Sequence, residues 1–240
     1  MNEITKTTTK QTSFEMPTLV TAVTAIVWKD LRIEKHTRQT LSIMVMYSLV
    51  TVVMFNFALE ANLAAARQVA TGLLWATILL AGTLGLHRSF AIERENQSID
   101  AILIAPIDRH VLYFAKIMSV TLFTFLLEAI LIVMFIIFFN KPFWQPQVIF
   151  VLMLGTIGYV AAGVIITSMT IQTRAREVLL PILLFPIILP LILPAAIAIA
   201  EFMTGQPEES VVRGTVSLVL AYDLMILGIG YIAYPHVLEA

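Results

Sequence analysis

Six long apolar stretches, separated by short polar connections, dominate the chain. They cover residues 41–59, 69–86, 117–139, 148–171, 179–200 and 216–234. Each has the length that a helix needs to cross ~30 Å of hydrocarbon at ~1.5 Å of rise per residue. The pattern predicts an all-α integral membrane protein whose transmembrane domain, residues 41–240, contains six spanning helices.

The basic residues divide unevenly when successive connections are assigned to alternate sides of the membrane. Arg67, Lys141 and Arg213 fall on one side. Twelve others fall on the opposite side: Lys6, Lys10, Lys29, Arg32, Lys35, Arg38, Arg88, Arg94, Arg109, Lys116, Arg174 and Arg176. Because cytoplasmic connections are enriched in Lys and Arg, the larger group predicts that both termini are cytoplasmic.

The segment before the first span predicts a surface helix. Residues 1–17 are polar, lack the apolar core of a removable signal peptide, and are expected to be a cytoplasmic tail. In the following segment, residues 18–40, the apolar run is too short to cross a bilayer. We interpret this segment as an amphipathic helix at the cytoplasmic interface, with Trp28 at headgroup depth. A cytosolic extension that packs on its own protein is the alternative.

The connection over residues 87–116 is the longest on the predicted inner side after the first helix. Ser98 is a candidate N-cap for a short helix that Pro106 would end. A short helix held between two spans has the shape needed to dock into a groove of a cytoplasmic motor, and a plain connector is an equally good interpretation. The candidate docking residues are Glu93, Arg94, Glu95, Asp100, Pro106, Asp108 and Arg109.

Two carboxylates interrupt the apolar spans. Glu128 lies in the middle of the third span and Asp223 in the sixth. A charged side chain at this depth costs at least ~2.5 kcal/mol, so both are expected to face the bundle interior, a partner or water. They are candidates for a substrate path or for coupling, and the favoured interpretation is that they are interhelical hydrogen-bond anchors.

The fifth span is rich in proline. Each proline removes a backbone donor, which predicts a kinked or partly unwound helix. Such backbone is tolerated in a membrane only where neighbours or water satisfy the freed groups. The segment is therefore expected to be a moving gate or a bent, re-entrant hairpin. Its four candidate gate residues are Pro181, Pro186, Pro190 and Pro194.

Several kinds of site are not predicted. The chain has no Cys, which excludes disulfides and thiolate ligands. Its four His residues form no i,i+4 pair on one helix, so no metal site is predicted. There is also no GxxxxGK[ST] phosphate-binding loop. We therefore expect no catalytic residues, no directly bound cofactor and no nucleic-acid partner.

The run IERENQSIDAILIAPIDRHVLYFAK, residues 92–116, resembles the characteristic loop of the haem exporter protein B (CcmB) family. In that family a Glu-rich start leads to a Leu-Ala-Pro-x-Asp-Arg core and to a Lys at the next span. The matching positions are Glu93, Glu95, Ala105, Pro106, Asp108, Arg109 and Lys116. The resemblance extends to KDLRIEKHTR at 29–38, Glu128, the pair at 176–177, the Pro-rich fifth span and AYDL at 221–224.

The resemblance implies a type-2-like ABC permease in the bacterial inner membrane, with no nucleotide site of its own. ATP would be hydrolysed by a CcmA-like ATPase. A second copy of the permease and CcmC-like, CcmD-like and CcmE-like proteins would complete the assembly. Haem is then a possible cargo, and we assign haem contact to the partners. The family's alternative activity is ATP-driven release of a haem-loaded chaperone. A permease for another cargo, such as a lipid or a drug, is the alternative outside the family's role.

The predicted topology can be tested by thiol labelling, because the unsubstituted chain has no Cys and provides the blank. Single Cys substitutions at Asn62, Gln145 and Gln206 should react with an impermeant thiol reagent added outside the cell, whereas Cys at Gln97 should not. Reaction at position 97 together with protection at position 145 would refute the orientation.

Overall fold

The computed structural model describes residues 19–59, 63–95, 108–170, 173 and 176–237. These residues contain seven helices and no β-strand. In chain order the helices are α1 (Leu19–Thr37), α2 (Gln39–Leu59), α3 (Leu63–Glu95), α4 (Arg109–Phe139), α5 (Pro146–Thr170), α6 (Arg176–Phe202) and α7 (Glu209–Val237).

Helices α2 to α7 are each long and apolar enough to cross a membrane. Each contains all or nearly all of one apolar stretch predicted from the sequence, so the prediction of six spanning helices is confirmed. The protein is a multi-pass α-helical membrane protein. Helix α1 has 19 residues and is not among the spanning helices.

The connection predicted over residues 87–116 is shorter than expected. Helix α3 continues through Glu95, and α4 begins at Arg109 after Asp108, whose carboxylate accepts a hydrogen bond from the backbone N–H of His110 at 3.2 Å. The physical reason is that residues 87–95 contain no Gly or Pro to end α3, and two of its polar side chains, Ser89 and Glu93, turn inward. Ser98 and the predicted short helix that follows it lie outside the described residues.

A sharp corner joins α1 to α2. Arg38 adopts a left-handed backbone conformation, with φ of 54°, which an L-residue rarely does. The carboxylate of Glu34 accepts hydrogen bonds from the backbone N–H groups of Thr40, at 3.2 Å, and Leu41, at 2.8 Å. These bonds satisfy donors that the start of a helix leaves unpaired, and so they stabilise the corner.

Helix α1 lies against α4 and the start of α2. Its inward face carries Val27, Asp30 and Glu34. Trp28, on another side of the helix, is 68% exposed, and Val20, at its N-terminal end, is 71% exposed. Helix α1 is therefore a surface helix that packs on its own protein with one face and leaves some apolar side chains exposed.

Helix α5 is the centre of the bundle and packs against α3, α4, α6 and α7. Its glycines accept side chains from neighbouring helices: Gly155 contacts Trp75, and Gly163 contacts Leu86. A Cβ at either position would collide with that side chain, so glycine allows the helices to pack closely. Close packing matters inside a membrane because burial of apolar surface from water cannot drive helix association there. Helix α2, in contrast, lies at the periphery against α3 and α4.

The four prolines of the fifth span lie within one continuous helix, α6. The segment is thus a single helix of spanning length rather than a re-entrant hairpin. Pro186 and Pro190 lie on its exposed side, whereas Leu184 and Ile188 face the core. The hydroxyl of Tyr222 on α7 donates a hydrogen bond to the Ile187 carbonyl at 2.9 Å, within the stretch that the prolines interrupt. The role of this helix as a gate stays a prediction.

Replacing Pro186 and Pro190 together by Leu should raise the thermal unfolding temperature of the protein in detergent. Two backbone donors are restored, each worth up to ~3 kcal/mol in a helix interior, and the new side chains point outward. The matched control replaces the exposed Leu189 and Leu193 by Met, which leaves the backbone bonds unchanged and should not raise that temperature. A lower unfolding temperature for the proline variant would mean that the bend is required for packing.

Candidate functional site at one end of the bundle

Four charged side chains from three helices meet at one end of the bundle. Lys29 and Asp30 come from α1, Glu93 from α3 and Lys116 from α4. The Lys116 ammonium lies 3.1 Å from the Glu93 carboxylate and 3.6 Å from that of Asp30. The Lys29 ammonium lies 3.2 Å from each of the same two carboxylates. Two cations therefore alternate with two anions, and we call these residues the ion cluster.

The ion cluster is largely removed from solvent. The side chains of Lys116, Asp30 and Glu93 are 5%, 7% and 11% exposed, and that of Lys29 is 32% exposed. At this burial each charge needs its partners, because leaving one uncompensated costs several kcal/mol. The Lys116 ammonium also lies 4.9 Å from the centroid of the Phe90 ring, which adds a cation–π contact.

The pKa of Lys29 reflects both effects of its surroundings. Partial burial alone would lower it, but attraction to the carboxylates of Glu93 and Asp30 outweighs burial and raises the pKa above 10.5. Because the pKa is higher in the folded than in the unfolded chain, the resulting stabilisation is present at neutral pH. It is lost only as the pH rises through the folded value.

The ion cluster joins the two ends of the sequence run that carries the family resemblance. Glu93 stands at the start of that run and Lys116 at its end, and the structure brings them into one ion pair. The second family-like segment, residues 29–38, supplies Lys29 and Asp30 to the same place. Two separate parts of the motif therefore form one site.

A second contact at the same end joins the start of α4 to the end of α7. The Arg109 guanidinium donates a hydrogen bond to the Pro235 carbonyl at 3.2 Å. The His110 ring stacks on Tyr231 with centroids 4.1 Å apart. Tyr113 lies beside Tyr234 at 5.1 Å between ring centroids. The beginning of α4 is therefore held on one side by the ion cluster and on the other by α7.

The predicted docking residues have different surroundings in the structure. Glu93 belongs to the ion cluster and Arg109 contacts α7, while Asp108 caps α4. Arg94 is exposed. Glu95 belongs to the last turn of α3, and the remaining two predicted residues, Asp100 and Pro106, lie outside the described residues.

Sequence reasoning overlooked the part that α1 plays in this site. The interfacial helix predicted for residues 18–40 gave Asp30 and Glu34 no partners on the protein, whereas in the structure both side chains face inward. The signal that indicates this is their position on the helix. Asp30 and Glu34 lie within ~60° of Val27 at ~100° per residue, so two acids occupy the apolar face.

The intramembrane carboxylates both lie against α5. The Thr156 hydroxyl donates a hydrogen bond to the buried Glu128 carboxylate, so Glu128 links α4 to α5. Asp223 of α7 packs against Gly158, where a Cβ would collide with its carboxylate. Within the described residues, the Asp223 carboxylate oxygens have no hydrogen-bond partner. Glu128 therefore makes the contact expected of an interhelical anchor, and Asp223 makes a close steric contact instead.

The part of the chain that the structure describes contains no group of three or more His, Asp or Glu side chains arranged to hold a metal ion. His110 is occupied by its stack on Tyr231, and His236 lies within hydrogen-bond distance of the Ile232 carbonyl.

The fold and this site define a polytopic helical membrane protein. The chain matches the family described as "CcmB protein" over residues 21–240. It belongs to the CcmB family.

Curated relatives named "Heme exporter protein B" share about a quarter of their residues with this chain. The Rhodobacter capsulatus protein is 25% identical over 188 residues, which cover 77% of this chain and 85% of the relative. The Paracoccus denitrificans protein is 24% identical over 198 residues, covering 82% and 91%. The Pseudomonas aeruginosa protein is 23% identical over 161 residues, covering 67% and 72%. The similarity therefore extends across most of each protein.

The ion cluster predicts strong, non-additive effects of substitution. Lys116→Gln alone should lower the free energy of unfolding by ~3–5 kcal/mol, because it leaves two buried carboxylates to share one cation, Lys29. Adding Glu93→Gln should restore part of that loss, since both members of the pair are then neutral. Denaturant titration of the purified protein in detergent measures both effects.

The matched control for this cycle is the exposed pair formed by Arg213 and Glu209, 2.9 Å apart on α7. Arg213→Gln should cost less than ~0.5 kcal/mol, as is usual for a surface i,i+4 pair. Strict additivity of the two substitutions at Glu93 and Lys116 would contradict an energetic role for the ion cluster.

Proposed function

We propose that this protein is the permease subunit of an ABC transporter complex in cytochrome c maturation, where it serves haem export or the ATP-driven release of a haem-loaded chaperone. Membership of the CcmB family and similarity to proteins named "Heme exporter protein B" support this function. The observation that carries it is structural: two family-like segments, residues 29–38 and 92–116, meet in the ion cluster.

ATP hydrolysis belongs to a separate, CcmA-like subunit in this proposal. The sequence has no phosphate-binding loop of the GxxxxGK[ST] type, and no chemistry is assigned to the chain itself. The permease would therefore transmit the work of the ATPase by contact, and the connection between α3 and α4 is the proposed docking element.

The proposed orientation follows the distribution of Lys and Arg and places both termini in the cytoplasm of a bacterium, with the spans in its inner membrane. The ion cluster and the docking element then lie at the cytoplasmic end. The assembly would include a second copy of the permease, a CcmC-like haem-handling protein, a CcmD-like small membrane subunit and a CcmE-like haem chaperone. Haem contact is assigned to these partners.

The geometry refines which residues of the docking element can report on docking. Glu93 and Arg109 are engaged inside the protein, so charge reversal there would disturb folding as well as any interface. Arg94 is exposed one position beyond Glu93. It offers a charge that can be changed without breaking the ion cluster, and Asp100 provides the acidic counterpart in the same connection.

A test of docking is the combined reversal Arg94→Glu and Asp100→Lys. The ATPase should co-purify less well with this variant, and cytochrome c assembly in cells should fall, because charges at an interface direct association and hold it at ~1 kcal/mol or more per contact. The permease itself should still be inserted, which its recovery from the membrane fraction measures. Arg213→Glu, a reversal of an exposed charge at the other end of the bundle, is the matched control and should change neither readout.

Unchanged recovery of the ATPase and unchanged cytochrome c assembly in the double reversal would make the connection a simple linker. The docking surface would then be sought on α1.

The variant with Leu at positions 186 and 190 adds a separate test of the predicted gate: if bending of α6 serves transport, that variant should insert normally but support less cytochrome c assembly.

A further inference from the structure

An open groove of about 980 Å³ lies between the corner that joins α1 to α2 and the outer side of α4. Its walls are apolar over most of their length. Helix α2 contributes Val45 and Met46, and α4 contributes Leu122, Leu126 and Ala129. Met46 and Leu126 are 62% and 51% exposed, so the groove opens to the surroundings of the bundle rather than into its core.

One end of the groove carries positive charge. Lys35 and Arg38 line this end, and both side chains are exposed. Among the described residues that line the groove, Glu34 is the sole carboxylate, and it is buried and bonded to the backbone N–H groups at the start of α2. The two cations therefore face outward.

The groove has a polar end and an apolar end in the order that a lipid requires. From Leu122 to Ala129 the α4 wall runs for ~10 Å at ~1.5 Å per residue. It leads away from the corner at Arg38 into the apolar middle of α2 and α4. Basic pockets beside spanning helices are the usual sites for acidic lipid headgroups.

We propose that this groove binds an acidic phospholipid of the leaflet in which α1 lies. The phosphate contacts Lys35 and Arg38, and an acyl chain lies against Met46, Leu122 and Leu126. A partner helix in the same place would have to bring its own carboxylates to the membrane to match the two cations, which is costly. A lipid phosphate occupies that depth already, so the charges favour the lipid.

This site is independent of cargo, ATPase and haem. Lipid binding is measured on the permease alone, so its failure leaves the proposed transport function untouched, and failure of the transport function leaves the lipid site untouched.

The first test compares lipid affinities of the full-length protein in detergent, using native mass spectrometry with phosphatidylglycerol and phosphatidylcholine. Lys35→Gln and Arg38→Gln should each weaken binding of phosphatidylglycerol about fivefold, which corresponds to ~1 kcal/mol per basic residue. Binding of phosphatidylcholine should change little. Arg32→Gln is the matched control, because Arg32 is exposed on the same helix but does not line the groove. Equal losses in all three variants would overturn the assignment, since general surface charge would then explain the binding.

The second test fills the apolar end. Ala129→Phe should weaken binding of both phospholipids, because the ring occupies the path of the acyl chain. Ile130→Phe adds the same ring at an exposed neighbouring position outside the groove and should have no effect. If Ala129→Phe leaves phosphatidylglycerol binding unchanged, the groove does not hold the lipid.

The third test asks for a protein occupant in native membranes. Met46→Cys places a lone thiol in the groove of this Cys-free chain. We expect this thiol to remain free of protein after treatment with a short bifunctional thiol reagent. If most molecules of the variant are cross-linked at this position to a second copy or to another protein, the groove is occupied by a protein and the proposal is overturned.

Discussion

Burial of four charges at one end of the bundle is the constraint on which the arrangement of its first helices depends. Lys29, Asp30, Glu93 and Lys116 come from three different helices and form ion pairs with one another. Apolar faces in a membrane can slide, because lipid chains are as apolar as the side chains they replace. Paired charges cannot slide without breaking contacts worth several kcal/mol. The ion cluster therefore sets the positions of α1, α3 and α4 relative to one another. The corner at Arg38 and the groove beside it follow from where α1 is held.

The spanning helices were predictable because each is marked by an apolar stretch of about twenty residues, and so many apolar positions in a row indicate a span even when single residues do not. The ends of α3 and α4 were not. Residues 87–95 are polar enough to suggest a connection, yet Ser89 and Glu93 turn toward other helices and α3 continues. Polarity marks a helix end only when the polar group faces water, and the sequence does not record which way a side chain faces. The hairpin considered for α6 fails for a related reason. Its prolines lie toward the exposed side, where an interrupted hydrogen-bond ladder is tolerated within a continuous helix.

The candidate site was likewise predictable only in part. The run that resembles the CcmB loop was recognisable from the sequence. The meeting of Glu93 with Lys116, and of both with α1, was not, because contacts between helices far apart in sequence depend on packing angles that no local pattern encodes. One local signal did exist: Asp30 and Glu34 share a face with Val27, and acids on an apolar face of a surface helix indicate partners on the protein. The cost of a charge in hydrocarbon predicts that Glu128 faces the bundle interior, a partner or water, and in the structure its side chain is buried. Its partner, Thr156, required the structure.

The ion cluster also has a consequence for the order in which the protein is made. Helix α1 leaves the ribosome before α3 and α4, yet those two helices supply the partners of its charges, Glu93 and Lys116. Until both of those helices have been inserted, Asp30 has no buried cation from another helix to face, and water is its best environment. Helix α1, although synthesised before α3 and α4, is therefore seated only after both have been inserted, and its docking marks the point at which α3 and α4 have reached their final arrangement.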